Sequence, residues 1–160
     1  MTQISKHISL YEATHNAGYV KQGLDNTPTE AHIKQMQITA NAVFEPVREY
    51  ANCPLSAAMY RSPQVEKAKG RSGKSQHCKG EAIDINGRGK FPNSKIFQFI
   101  KENLIFDQLI NEYPVNGEPA WVHVSFVSGN NRQQMLTCRR DREGNAWYTI
   151  YKKGDCNEME

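Results

Sequence analysis

Apolar side chains at Ile33, Met36, Ala40, Val43, Phe44 and Val47 step by three and four, which predicts an amphipathic helix running to about Tyr50. Thr27-Pro28-Thr29-Glu30 reads as its start, with Thr27 as N-cap, Pro28 in the first turn and Glu30 three residues after the cap. Pro46 lies inside the pattern and should kink it. A second helical pattern covers residues 94–103, with Ile96, Phe97 and Ile100 apolar, and a short one is predicted at 64–69. Period-two alternation marks strands at 81–85, 106–112 and 121–126, and a terminal hairpin at 133–138 and 146–151. Residues 1–30 mix polar and small side chains, and the stretch from Cys53 to Gly80 is loop-like, with Pro54, Pro63, Gly70, Gly73 and Gly80. Helices early and strands late predict an α+β fold: a small, mostly antiparallel sheet with flanking helices.

A chain of 160 residues suits one domain with its own core. The patterns divide it into an N-terminal helical part (1–52), a central part (53–132) and a C-terminal hairpin and tail (133–160), with no repeat or linker. The last six residues, Asp155 to Glu160, are expected to fray. No apolar run approaches the roughly 20 residues of a membrane helix. The opening Met1-Thr2-Gln3-Ile4-Ser5-Lys6 lacks the pattern of a secretory signal. No membrane association is expected, and the chain reads as a monomer.

With 20 Lys and Arg against 17 Asp and Glu the net charge is only +3, too little for a dedicated nucleic-acid binder. The densest basic stretch holds Lys67, Lys69, Arg71, Lys74 and Lys79. It reads either as a solvated loop or as a patch for an anionic polymer. The four cysteines, at 53, 78, 138 and 156, match no zinc-finger spacing. They read as reduced thiols, with Cys78 a small buried side chain.

Of five histidines, His7 and His15 have no evident partner, and His32 falls near a helix start, facing solvent. His77 and His123 differ, because each lies beside or within a predicted strand. In Ser75-Gln76-His77-Cys78-Lys79-Gly80-Glu81-Ala82-Ile83-Asp84 a turn at Gly80 would fold His77 over the strand. There Ala82 and Asp84 share one face, and Ile83 and Ile85 the other. An aspartate between isoleucines is costly unless paired or coordinated. His123 and Ser125 likewise share a face, with Val122 and Val124 turned to the core. Two His and one Asp are the usual complement of a catalytic zinc with one open position. Spacing alone leaves open that these are two unconnected structural histidines.

Ser75-x-His77-x-x-Gly80-x-Ala82-x-Asp84 followed by Trp121-Val122-His123 resembles the signature of zinc D-Ala-D-Ala carboxypeptidases and related peptidoglycan endopeptidases, the M15 peptidase family, which includes phage endolysins. Tyr60-Arg61-Ser62-Pro63, Phe106-Asp107-Gln108-Leu109-Ile110 and Phe44-Glu45-Pro46-Val47-Arg48 are also similar to family stretches, so that the resemblance covers roughly residues 4 to 132. It implies the fold shared with the Hedgehog signalling domain, with His77, Asp84 and His123 as zinc ligands. It further implies Arg61 facing the substrate carboxylate or oxyanion, and Ser75 lining the cleft. The implied substrate is the stem peptide or cross-link of peptidoglycan.

One departure stands out. Many members carry an acid three residues before the last histidine; here that residue is Ala120. Three readings remain: Glu112 is the general base, Glu118 is, or the protein is an inactive or weakly active zinc-containing wall-binding module. The wall lies outside the cytoplasm. A phage-type lysin, made in the host cytoplasm and released through a separate membrane pore, reconciles that with the missing signal.

Overall fold

The computed structural model describes residues 2–158. Among the described residues six strands form one sheet: β1 (Ser56–Ala58), β2 (Ala82–Asn86), β3 (Gln108–Glu112), β4 (Trp121–Ser125), β5 (Gln134–Arg140) and β6 (Ala146–Ile150). Their spatial order is β1-β2-β4-β3-β5-β6. Only β3 and β5 run parallel; every other pair is antiparallel. β1 falls in a stretch that reads as loop, because three residues are too few to establish an alternation.

The alternation of β2, β3 and β4 divides the sheet into two chemically different faces. Ile83, Ile85, Leu109, Val122 and Val124 are fully buried on one of them. They join a core with Ile96, Phe97 and Ile100 of α6 (Asn93–Asn103) and with Met36, Val43, Phe44 and Val47. The other face carries Asp84, Ile110, Glu112, Trp121 and His123, and it stays open as a cleft.

The long N-terminal helix is two helices joined by a wider turn. α3 (Glu30–Thr39) and α4 (Glu45–Ala51) flank a π-helical turn, Ala40–Phe44. Pro46 lies in the first turn of α4 and cannot donate to the preceding turn, so the kink expected there takes the form of this widened turn. The cap is Thr29, not Thr27. Thr29 Oγ1 accepts from the His32 N–H and the Thr29 N–H donates to His32 Nδ1, both at 3.3 Å. Thr27 is already held in a turn by Asp25 Oδ1, 2.9 Å from its N–H. His32 is half-buried against the Tyr60 ring rather than solvent-facing. His7 pairs with Glu45 at 2.6 Å, and His15 stacks on Tyr11. Two short helices, α1 (Leu10–Thr14) and α2 (Ala17–Lys21), also form in the N-terminal stretch, each started by a side-chain cap, Ser9 and Asn16, and the short helix expected at 64–69 is α5 (Pro63–Ala68).

The tail does not fray as far as it is described. Asp155 bonds Arg139 Nη2 at 2.9 Å and Thr137 Oγ1 at 2.8 Å. The Asn157 N–H reaches the Gly117 carbonyl at 2.8 Å, and Cys156 is buried. These buried partners outweigh the chain entropy that frees most termini. Residues 159 and 160 lie outside the described residues.

Candidate metal centre

Three local features bring His77 over the sheet. Ser75 starts a 3-10 turn, Gln76–Lys79, and Gly80 ends it at φ +75°. A Cβ at Gly80 would lie 2.8 Å from the His32 carbonyl oxygen, so only glycine lets this turn pack on α3. The Gly80 carbonyl then accepts from Thr39 Oγ1 at 2.9 Å. Asp84 and His123 need no such device. They are direct partners in the β2–β4 register and share a face.

Asp84 Oδ1 lies 3.3 Å from His77 Nε2 and 3.1 Å from His123 Nδ1. The two ring nitrogens are 3.2 Å apart. His77 Nδ1 is 2.5 Å from the Met59 carbonyl oxygen and must donate to it, which leaves Nε2 as a lone pair aimed at the other two atoms. Burial lowers the pKa of His77, with Asp84 opposing the shift. Burial works to raise the Asp84 carboxyl, but the two histidines hold it well below the usual carboxylate range. Three potential ligand atoms therefore converge. A tetrahedral ion with ligand distances of about 2.0–2.1 Å separates its ligands by about 3.3 Å, which is the spacing present here. The residues fit a divalent ion of the zinc type.

Arg61 orients the carboxylate. Its Nη1 donates to Asp84 Oδ2 at 3.1 Å and its Nε to Glu66 Oε1 at 2.6 Å. Oδ1 alone is left to face the histidines, as expected of a group that fixes a metal ligand from behind. Glu66 is 1% exposed, and nothing in its spacing marks it beforehand. A second clamp is Asp107, which accepts from Gln76 Nε2 at 2.9 Å and from Arg132 Nε and Nη2 at 3.0 and 2.6 Å. It ties the residue before His77 to the segment after β4.

Glu112 lies on the face of the sheet that carries His123, opposite Trp121 in the β3–β4 register. Burial pushes its carboxyl up to about 6, with Asp84 adding to the rise and His123 opposing it. Such a value suits proton transfer near neutrality. Glu118 is elsewhere: its Oε1 accepts from the Ser94 N–H at 3.1 Å, at the start of α6, and it does not line the cleft. Ala120 is exposed, and its N–H donates to the Glu112 carbonyl at 2.8 Å. Ser75 lines the cleft, with Oγ 3.8 Å from Cys78 Sγ. Burial raises the Cys78 thiol, which stays outside the ligand group. All four cysteines are unpaired.

The cleft encloses about 850 Å³. Lys69, Arg71, Lys74 and Lys79 line it, so most of the basic stretch belongs to the site. A family model described as Peptidase M15 matches residues 6–125. No curated protein sequence matches the chain.

Proposed function

The chain belongs to the M15 peptidase family, and on that basis we propose that it is a zinc peptidase that hydrolyses an amide bond in the stem peptide or cross-link of peptidoglycan. Membership carries the Hedgehog/DD-peptidase type of α+β fold, and His77, Asp84 and His123 form a potential metal site within it. The observation that carries the reading is the convergence of those three ligand atoms, 3.1 to 3.3 Å apart, at the floor of an open cleft.

His77, Asp84 and His123 would hold the zinc, which when bound supplies Lewis acidity toward a carbonyl and toward water. Glu112 takes the proton of the attacking water and returns it to the leaving amine, and its burial keeps it basic enough to do so. Arg61 holds Asp84 with Nη1 and Glu66 with Nε. These bonds leave Nη2 for a substrate carboxylate or for the oxyanion that develops at the carbonyl. Ser75 contributes a hydroxyl at the cleft wall. No nucleophilic side chain is needed, and no covalent intermediate forms.

The setting we propose is a phage-type lysin, acting on the wall as a monomer after release through a separate pore. No helix among the described residues is long and apolar enough to cross a membrane. Ala120 favours a second reading, a wall-binding module with little or no activity. Digestion of purified peptidoglycan with and without a chelator, read by mass spectrometry, separates the two. Chelator-sensitive fragments are expected, and their masses name the bond. Intact peptidoglycan after incubation with zinc-loaded, folded protein would leave the binding module.

A further inference from the structure

The two walls of the cleft differ in chemistry. The sheet side presents Ile110, Tyr113, Trp121, Leu136 and Tyr148. The facing loop brings Lys69, Arg71, Lys74 and Lys79 to the rim, and Arg132 joins them from the segment after β4.

Three of these cations are engaged within the fold. Lys69 Nζ sits 4.9 Å above the Tyr19 ring, Arg71 shares Glu66 with Arg61 at 3.5 Å, and Arg132 is clamped by Asp107 at 2.6 Å. Lys74 and Lys79 are exposed and have no acidic partner among the described residues. Their positions are set by the backbone: Lys74 follows Gly73 at φ +73°, and Lys79 closes the 3-10 turn before Gly80 at φ +75°. Among the acids of the cleft, Asp84 is held by Arg61 and the histidines, Glu112 is buried in the opposite wall, and Glu81 pairs with neither lysine. Two unpaired ammonium groups on a concave rim attract anions.

We propose that Lys74 and Lys79 form a carboxylate subsite, so that the enzyme prefers peptides carrying free carboxylates beyond the scissile amide. The subsite rests on the peptidase reading of the same cleft. A bound peptide would lay its apolar side on the aromatic wall and turn its carboxylates to the loop.

The test uses two stem peptides of one sequence, the first with its glutamate carboxylate free and the second amidated there. With metal-loaded protein at low salt, kcat/KM for the free acid is expected to exceed that for the amide, with KM carrying the difference. Lys74→Gln and Lys79→Gln each shrink that ratio by about two- to fivefold, and Lys74→Arg restores it. Raising the salt from about 20 to about 200 mM also narrows it. Equal kcat/KM for both peptides at low salt overturns the subsite. Cleavage of neither peptide is a failure of the peptidase reading, and the subsite is then judged by binding. Fluorescence titration of metal-free Trp147→Phe protein, with Trp121 as reporter, gives tighter binding of the free acid if the subsite exists. Equal affinity overturns it.

Discussion

Asp84 lies between two buried isoleucines in β2, and its carboxylate is where two histidines and an arginine meet. Each neighbour has a distinct part: the histidines share Oδ1, and Arg61 occupies Oδ2. Glu112, two residues along β3 from the partner of His123, joins this group through burial and register and holds no ligand position. The proposed division of labour gives a sharp expectation for Glu112→Gln. The amide keeps the shape of the side chain but cannot accept the proton, so cleavage falls by about 10²- to 10⁴-fold. Zinc stoichiometry, measured by metal analysis of the purified variant, stays at the wild-type value. Undiminished cleavage would remove Glu112 from the mechanism. The turn at Gly80 and the shared face of Ala82 and Asp84 were legible in the sequence because a turn glycine and a two-residue alternation are local properties; the family resemblance supplied the link to His123 and Arg61. Glu66 was not legible, since only the folded chain reveals that it is buried against Arg61.

At the scale of elements, the 3-10 turn that carries His77 is too short to hold its own position. Gly80 packs it on α3, and Asp107 ties it to the segment after β4. Hydrogen bonds from Arg132 hold the Asp107 carboxyl down to about 2, against about 3.9 in an unfolded chain. A carboxylate depressed in the folded state stabilises above the unfolded value, and the contribution is lost as pH falls from about 4 toward 2. Asp107→Asn should therefore cost about 1 kcal/mol at neutral pH, limited by the exposure of Arg132. In denaturant titrations across pH, the gap between variant and wild type should close as pH approaches 2. A gap independent of pH would mean that the clamp owes nothing to charge. The strands of the sheet core were readable from alternation, but β1, α1 and α2 were not. Three- and five-residue elements carry too few positions for a period to show, and tertiary contacts hold them.

For the whole molecule, the sheet separates stability from chemistry. Its apolar face, α6 and the tail make the core, while the candidate metal site and basic loop occupy the other side. The tail is docked by Asp155, Cys156 and Asn157, and Asn111, which turns to the face opposite Ile110 and Glu112, donates to the Asp155 carbonyl at 2.8 Å. Deleting residues 155–160 removes those bonds and uncovers buried surface, which should lower Tm by about 5–10 °C. Zinc stoichiometry should be unchanged, and loss of the metal on truncation would show the two faces to be coupled.

By itself the sequence determined the sidedness of the central strands and the α+β class, because side-chain alternation and turn chemistry follow from near neighbours in the chain, and the resemblance to a family signature was what joined His77, Asp84 and His123 into one expected group. Only the tertiary structure placed Glu112 in the cleft and Glu118 outside it, brought the basic stretch to the cleft, tied Arg61 to Asp84 and seated the tail. Those outcomes depend on which strands pair, and in what register, across tens of residues. A period of two records which face a side chain takes but not what it will meet there.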